Sequence, residues 1–330
     1  MKNFTQNIIW FWVVVITITA CTKETSDQFV SYSNNELNDT VWSSNGTNFS
    51  AITKVIIPDI LKDNITDSFN SLVDNTLTFG DSLQVVILAN ACTNANGAPI
   101  TTSAKIKMDI TLLRKKGDFI KYASPTTNVT SLLEAGDYVN IKLSKDGQEI
   151  KMAPNNPIKI RVKDIATNSN MKFFSGTFIR FNQDTIFSWL PSFDGKVEIW
   201  RNNTITQPFG YEFTTNRLGW IGCSLFSDSL QPKTRLNVVL PSNYTNKNTA
   251  VFVVFKNKKT VVNLLNDAVT KTFFTYNMPV GTEATLVSLT KINANYYLGS
   301  KAITVNNGDV LNMLPEKKSL EQIIAYLNSL

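Results

Sequence analysis

From about residue 41 onward the chain is organised by a period of two. Ala104, Ile106, Met108, Ile110 and Leu112 alternate with Lys105, Lys107, Asp109 and Thr111. Val139, Ile141 and Leu143 alternate with Asn140, Lys142 and Ser144, and Ile158, Ile160 and Val162 with Lys159, Arg161 and Lys163. Successive strand side chains point to opposite faces, so each run predicts a strand with one face in a core and one in water. Lys145-Asp146-Gly147-Gln148 lies between two such runs. Asp-Gly accepts the positive φ angles of a type I′ turn, which predicts a hairpin over 138–152. Asn45-Gly46, Asn96-Gly97, Asp194-Gly195 and Asn307-Gly308 are similar turn signals, and Leu236–Leu240, Val251–Phe255 and Ala284–Leu289 continue the strand pattern. Short strands with this punctuation predict β-sandwiches.

Two segments read as helices. After Pro58, the residues Leu61, Ile65, Phe69 and Leu72 follow helical spacing and predict a short helix over 59–73. Ser319 is placed to cap a C-terminal helix with Leu320, Ile323, Ile324, Leu327 and Leu330 on one side, a stripe expected to pack on a sheet. The alternation lapses over Asp164–Asn170, where a domain boundary is expected. The resulting fold is all-β, with two β-sandwich domains in tandem over 41–165 and 171–330 and a short helix at the C-terminus. Residues 21–40 are mostly polar and predict a flexible tether, because few apolar groups there offset the entropy of ordering.

The N-terminus has a different character. Lys2 precedes an apolar run from Ile8 to Ile18, shorter than the ~20 residues of a bilayer-spanning helix and matching a signal-peptide core. The run closes on Ile18-Thr19-Ala20-Cys21, which resembles the lipobox of bacterial lipoproteins. That resemblance implies removal of residues 1–20, a diacylglycerol thioether on Cys21 and acylation (palmitate or a similar chain) of the new amine. Several acyl chains on one residue make a durable membrane anchor, at ~0.8 kcal/mol per buried CH₂. Thr22 rather than Asp follows the cysteine, which by analogy favours the outer membrane, with Lys23 and Glu24 resembling a surface-export signal.

Composition narrows the chemistry. The chain of 330 residues is 43% hydrophobic and 18% charged, which suits a globular protein rather than a disordered one. It carries a mild excess of +6 and contains 0 histidines. The lack of histidine removes Ser-His-Asp and Cys-His active sites, the zinc-protease motif and every His-ligated metal. Neither a phosphate loop, a dinucleotide fingerprint nor a nucleophile elbow occurs, so no cofactor or metal is expected. Ser169-Asn170-Met171-Lys172 fits Ser-x-x-Lys but lies in the expected linker without the companion motifs.

Further motifs extend the likeness. Gly80–Ile87, Asn94–Gly97, Gly117–Ile120 with Pro125-Thr126-Thr127, Leu132–Tyr138 and Asp146–Glu149 resemble segments of uncharacterised cell-envelope lipoproteins of the Bacteroidetes type. Leu218–Cys223 and Pro279-Val280-Gly281 are similar to the same group. The resemblance implies immunoglobulin-like β-rich domains and an envelope location, and it carries no activity to transfer. Asp39-Thr40-Val41 and Asp184-Thr185-Ile186 resemble that group's O-glycosylation sites.

The remaining candidates each have a structural alternative. Cys92 and Cys223 form either a disulfide, favoured by an oxidising envelope, or two buried free thiols. Asp59, Asp63 and Asp67 would share a helix face, more suited to solvent than to Ca²⁺ because no loop converges them. The densest aromatic stretch, from Phe173 to Trp200, mainly supplies core. Phe187, Trp189 and Trp200 within it are the candidate glycan contacts. The basic clusters Arg114-Lys115-Lys116 and Lys256, Lys258, Lys259 read as solvated hairpin ends or as contacts for anionic lipid or polysaccharide, and not as a nucleic-acid surface. The leading expectation is a non-enzymatic outer-membrane or surface lipoprotein that serves as a binding or structural module for a polysaccharide or envelope protein. The alternatives are a carboxylate-dependent glycoside hydrolase or other glycan-processing enzyme, whose chemistry dispenses with histidine, and a purely architectural subunit of a surface assembly.

Overall fold

The computed structural model describes residues 39–44, 57–60, 64–164, 166–181, 184–201, 208–227 and 230–330. The expected signal segment 1–20, Cys21 and nearly all of the expected tether 21–40 lie outside the described residues. Within Thr40–Leu330, which form one compact unit, the alternating runs become strands of four sheets.

Sheet I has the order β1 (Ile65–Asn70), β5 (Lys105–Leu113), β7 (Ser131–Lys145), β14 (Gly219–Phe226), β10 (Lys172–Phe181) and β11 (Asp184–Pro191). Beside that path, β6 (Thr127–Asn128) and β8 (Gln148–Met152) pair with β7, and β4 (Cys92–Asn94) pairs with β8. Sheet II runs β12 (Gly195–Arg201), β13 (Pro208–Thr215), β9 (Ile158–Lys163), β3 (Leu83–Ile87) and β2 (Asn75–Phe79). Sheet III runs β18 (Leu265–Asp267), β19 (Thr272–Pro279), β15 (Lys233–Val239) and β22 (Val310–Asn312), the last pair parallel. Sheet IV runs β17 (Val261–Asn263), β16 (Thr249–Phe255), β20 (Glu283–Ile292), β21 (Asn295–Thr304) and β23 (Glu316–Lys318). Three short helices complete the described elements: α1 (Ile57–Ile60), α2 (Lys116–Lys121) and α3 (Leu320–Ser329).

The architecture is all-β, and sheets I and II close the first sandwich. Its core brings Ile106, Met108 and Ile110 of β5 and Val139, Ile141 and Leu143 of β7 against Val85 of β3, Ile160 and Val162 of β9 and Phe213 of β13. A second core lies on the other side of sheet I. There Tyr138, Phe174, Phe187 and Trp189 meet Phe252 and Val254 of β16, Leu289 of β20, Phe119 of α2 and Leu327 of α3. Fully burying each such side chain is worth ~1.5–3 kcal/mol, so this second core joins the two halves of the molecule firmly.

One irregularity lets β7 serve both cores. Gly222 pairs with Tyr138 and Ser224 with Ala135, so Gly136 and Asp137 together oppose Cys223 alone. This two-against-one arrangement is a β-bulge, and it shifts the phase of the alternation. Leu133 and Ala135 before it and Tyr138 after it face the second core, whereas Val139, Ile141 and Leu143 face the first. Gly222 makes room for the ring that results, since a Cβ there would lie 1.9 Å from Tyr138 Cδ1.

Strand pairing corrects the expected domain boundary at 164–170. β13 pairs with β9 and β14 with β7, so strands from both sides of that segment share sheets I and II. The first sandwich therefore draws on residues from 65 to 226, and sheets III and IV on residues from 233 to 318. The alternation lapses at 164–170 because the chain crosses there from sheet II to sheet I, not because a domain ends.

The helix expected over 59–73 is also corrected. Among the described residues of this segment, Ile57–Ile60 is helical and Ile65–Asn70 is strand β1, paired antiparallel to β5. Leu61, Ile65 and Phe69 are spaced by four, which satisfies a helical face and equally a strand face of one parity. Thr66, Ser68 and Asn70 between them are poor helix formers, and the unpaired edge of β5 supplies ladder hydrogen bonds that a helix would forgo. Other expectations hold. Asp146 and Gly147 both have positive φ, 51° and 79°, at the β7–β8 turn. Ser319 Oγ accepts from Gln322 N at 3.2 Å while Gln322 Oε1 accepts from Ser319 N at 2.9 Å, a reciprocal cap for α3. Ile323 and Leu327 of that helix are buried in the second core.

Replacing Gly222 with alanine should force Tyr138 out of place. The expected loss is about 1–3 kcal/mol or more of unfolding free energy, measured by denaturant titration, with Gly97→Ala at an open turn as a milder comparison.

Candidate functional site

The chemistry-bearing side chains of this protein gather where the β16–β17 turn meets the bulge of β7. The two basic clusters of the sequence, some 140 positions apart, converge here. Lys116 Nζ donates to the Lys256 carbonyl at 2.8 Å, Lys115 Nζ to the Asn328 carbonyl at 3.1 Å and Lys259 Nζ to the Gly136 carbonyl at 3.1 Å. Arg114 Nη2 donates to the Lys163 carbonyl, and Lys258 lies 3.5 Å from Glu134. Main-chain bonds reinforce the contact: Ala135 N to the Lys259 carbonyl at 3.0 Å, and Thr126 N to the Val261 carbonyl at 2.8 Å. Thr260 Oγ1 adds a bond to the Leu133 carbonyl at 2.9 Å. The lysines thus act as clasps on main-chain carbonyls of neighbouring elements. Of the residues expected to be solvated, Lys115 and Lys256 are exposed, whereas Arg114, Lys116, Lys258 and Lys259 are half-buried in the junction.

At the centre lies Asp137, whose side chain is 1% exposed. Arg114 Nε is 3.7 Å and Lys259 Nζ 3.8 Å from its Oδ1, close enough for attraction and too far for a hydrogen bond. Burial pushes its carboxyl up to about 7; the Lys259 and Arg114 charges oppose that shift, and the neighbouring Asp164 adds to it. Cys223 and Tyr211 close the site, and burial raises both well above their ordinary values. Gly136 is required here by packing, because a Cβ on it would lie 2.4 Å from Cys223 Sγ.

The structure separates the candidate residues of the sequence. Cys92 and Cys223 are free, buried thiols. β8 and β7 stand between their strands, so they are three strand spacings apart, roughly 14 Å, beyond disulfide reach. Burial raises the Cys92 thiol to about 11. Trp189 is 0% and Phe187 3% exposed, both in the second core with Trp220 between edge-on rings, so neither can stack on a sugar from solution. Trp200 differs. It is half-buried on the outer face of sheet II, with Phe209 edge-on at 4.7 Å and the Arg161 guanidinium 5.7 Å from its ring centre. Arg161 is itself held by Glu212 at 2.6 Å and Gln84 at 2.8 Å. Phe178 and Phe193 are the exposed aromatics of that stretch.

Asp59 accepts from Lys291 Nζ at 2.6 Å and Tyr296 OH at 2.7 Å, and the Lys291 bond lowers its carboxyl below the usual range. Asp67 sits on β1, and Asp63 lies outside the described residues. Trp42 packs on Phe273 at 5.0 Å, and Ser43 exchanges main-chain bonds of 2.9 Å with the Asn246 amide. Trp42 and Ser43, just beyond the expected tether, are therefore docked on the C-terminal half, which holds sheets III and IV. Thr40 and Thr185 are both exposed.

Asp137 escaped the sequence reading of chemistry. It is one of two acids, with Glu134, in Leu132–Leu143, and nothing in that segment reveals which charges the fold brings to it.

Native protein should show no reaction of Cys92 or Cys223 with an aromatic disulfide reagent at pH 8, with both thiols reacting after denaturation. Rapid native modification of either would contradict the burial described. No protein-family model matches the chain, and no curated protein is similar to it.

Proposed function

We propose that this protein is a non-enzymatic envelope lipoprotein of the Bacteroidetes type. In this reading, acylated Cys21 anchors it to the outer membrane, and the outer face of sheet II meets a polysaccharide or an envelope protein. The observation that carries the reading is the position of Trp200. Of the three aromatics expected to contact glycans, it alone keeps a surface face, and a fixed guanidinium lies beside it. A flat ring next to such donors suits the apolar face and hydroxyl rim of a sugar. Phe209 and Arg161 hold the ring in place, so little side-chain entropy is lost on binding.

The glycosidase alternative requires two carboxyl groups facing a glycosidic bond. The described carboxyl pushed furthest up by burial, that of Asp137, is sealed in the junction, out of reach of a polymer. A purely architectural role would instead leave Trp200 without effect on association.

Trp200→Ala should weaken retention on immobilised envelope polysaccharide at least tenfold while leaving the melting temperature within a few degrees. Trp189→Ala should lower stability by about 3–5 kcal/mol. Unchanged retention by Trp200→Ala would reject this face, and hydrolysis of the polysaccharide by purified protein would reject the non-enzymatic reading. Metabolic labelling with palmitate should mark the wild type and not Cys21→Ala.

A further inference from the structure

We propose that Lys259 and Asp137 condense into an intramolecular amide, a covalent staple between the β16–β17 turn and the bulge of β7. Neither oxygen of the Asp137 carboxyl has a hydrogen-bond partner in the structure, although its side chain is 1% exposed. An ionised carboxylate without donors is costly to bury, and an amide in its place carries no charge. The amine that could supply that amide is at hand, with Lys259 Nζ 3.8 Å from Asp137 Oδ1. Other ion pairs of this protein differ. Asp59 with Lys291, Glu212 with Arg161 and Asp109 with Lys107 are hydrogen-bonded at 2.6–2.8 Å, and each of those carboxylates is partly open to water.

The lysine is held at its target through main chain and side chain alike. Its carbonyl accepts from Ala135 N at 3.0 Å, its Nζ donates to the Gly136 carbonyl at 3.1 Å, and Thr260 Oγ1 donates to the Leu133 carbonyl at 2.9 Å. Gly136 immediately precedes Asp137, so these bonds fix the amine beside the carboxyl. Two groups held in this way react as if at an effective concentration of ~10⁵ M or more. Arg114 Nε stands 3.7 Å from the same Oδ1, where it steadies negative charge as the carbon becomes tetrahedral. In the reaction, Lys259 first passes one proton to the Asp137 carboxylate, which leaves an amine and a neutral acid. Burial favours that neutral pair, and it is burial that raises the Asp137 carboxyl to about 7. Nζ then bonds to Cγ and the bond from Cγ to Oδ2 breaks. That oxygen departs as water, taking the transferred proton and a second one from Nζ. Nothing is oxidised or reduced, and no co-reactant is consumed. The same burial keeps water from hydrolysing the product. The staple joins the two sandwiches in a protein whose Cys92 and Cys223 are free thiols. The proposal stands independently of the anchor and of the Trp200 face.

Tryptic digestion of the purified full chain, read by mass spectrometry, tests this. Trypsin does not cut after an acylated lysine, so segments 122–142 and 259–271 should be recovered as one joined species. That species should be lighter by one water than the two peptides together and should survive a reducing agent. Asp137→Ala and Lys259→Arg should each release 122–142 as a free peptide. The wild-type digest is a reading that does not depend on either variant folding. Cleavage of the wild type after Lys259, with 122–142 free and at its full mass, would overturn the proposal. So would a joined species that persists in Lys259→Arg.

Discussion

Everything in this molecule turns on the two residues of β7 that oppose a single residue of β14. A strand in regular register shows one face to one core. Gly136 and Asp137 against Cys223 shift that phase, so odd positions before the bulge, Leu133 and Ala135, line one core, and odd positions beyond it, Val139, Ile141 and Leu143, line the other. The consequence is mechanical as well as topological. Sheet I becomes a shared wall, with sheet II on one side and sheet IV with two helices on the other. The two sandwiches are thus joined through a common strand and not through a linker.

The bulge also explains why polar chemistry collects at this point. A bulge disrupts the ladder and re-aims side chains. Here the orphaned Gly136 carbonyl is taken by Lys259, and the Asp137 carboxyl turns into the space between Arg114, Lys259 and Asp164. The bonds of Lys116 to the Phe255 carbonyl and of Lys259 to the Gly136 carbonyl are partly shielded from water and so contribute more than they would on an open surface. Burying Asp137, whose carboxyl oxygens have no hydrogen-bond partner, works against stability, so the feature that organises the fold also carries a cost.

The N-terminal segment and the outer face of sheet II stand apart from that junction. Trp42, Ser43 and Asp59 make their contacts with the second sandwich, through Phe273, Asn246, Lys291 and Tyr296. The chain thus touches the C-terminal half before it enters β1 of the first sandwich. Trp200 with Arg161 lies on sheet II, the layer remote from sheet IV.

Much of the fold was legible in the residues themselves. Alternation at Ile106–Ile110 and Ile158–Val162, the Asp146-Gly147 turn and the Ser319 cap are local signals, because pleat, φ preference and capping depend on neighbours only a few positions away. The segment 65–70 was ambiguous for an equally local reason: a spacing of four fits both periods, and only the free edge of β5 decides between them. The candidate site was far less legible. That Trp189 is enclosed and Trp200 is not, that Cys92 and Cys223 stand apart, and that lysines 140 positions distant clasp one junction all depend on which strands lie side by side. Strand partners are chosen by contacts between residues remote along the chain, and the energy of a charge depends on what surrounds it. Neither the partners nor the surroundings of Asp137 exist until the sheets have closed.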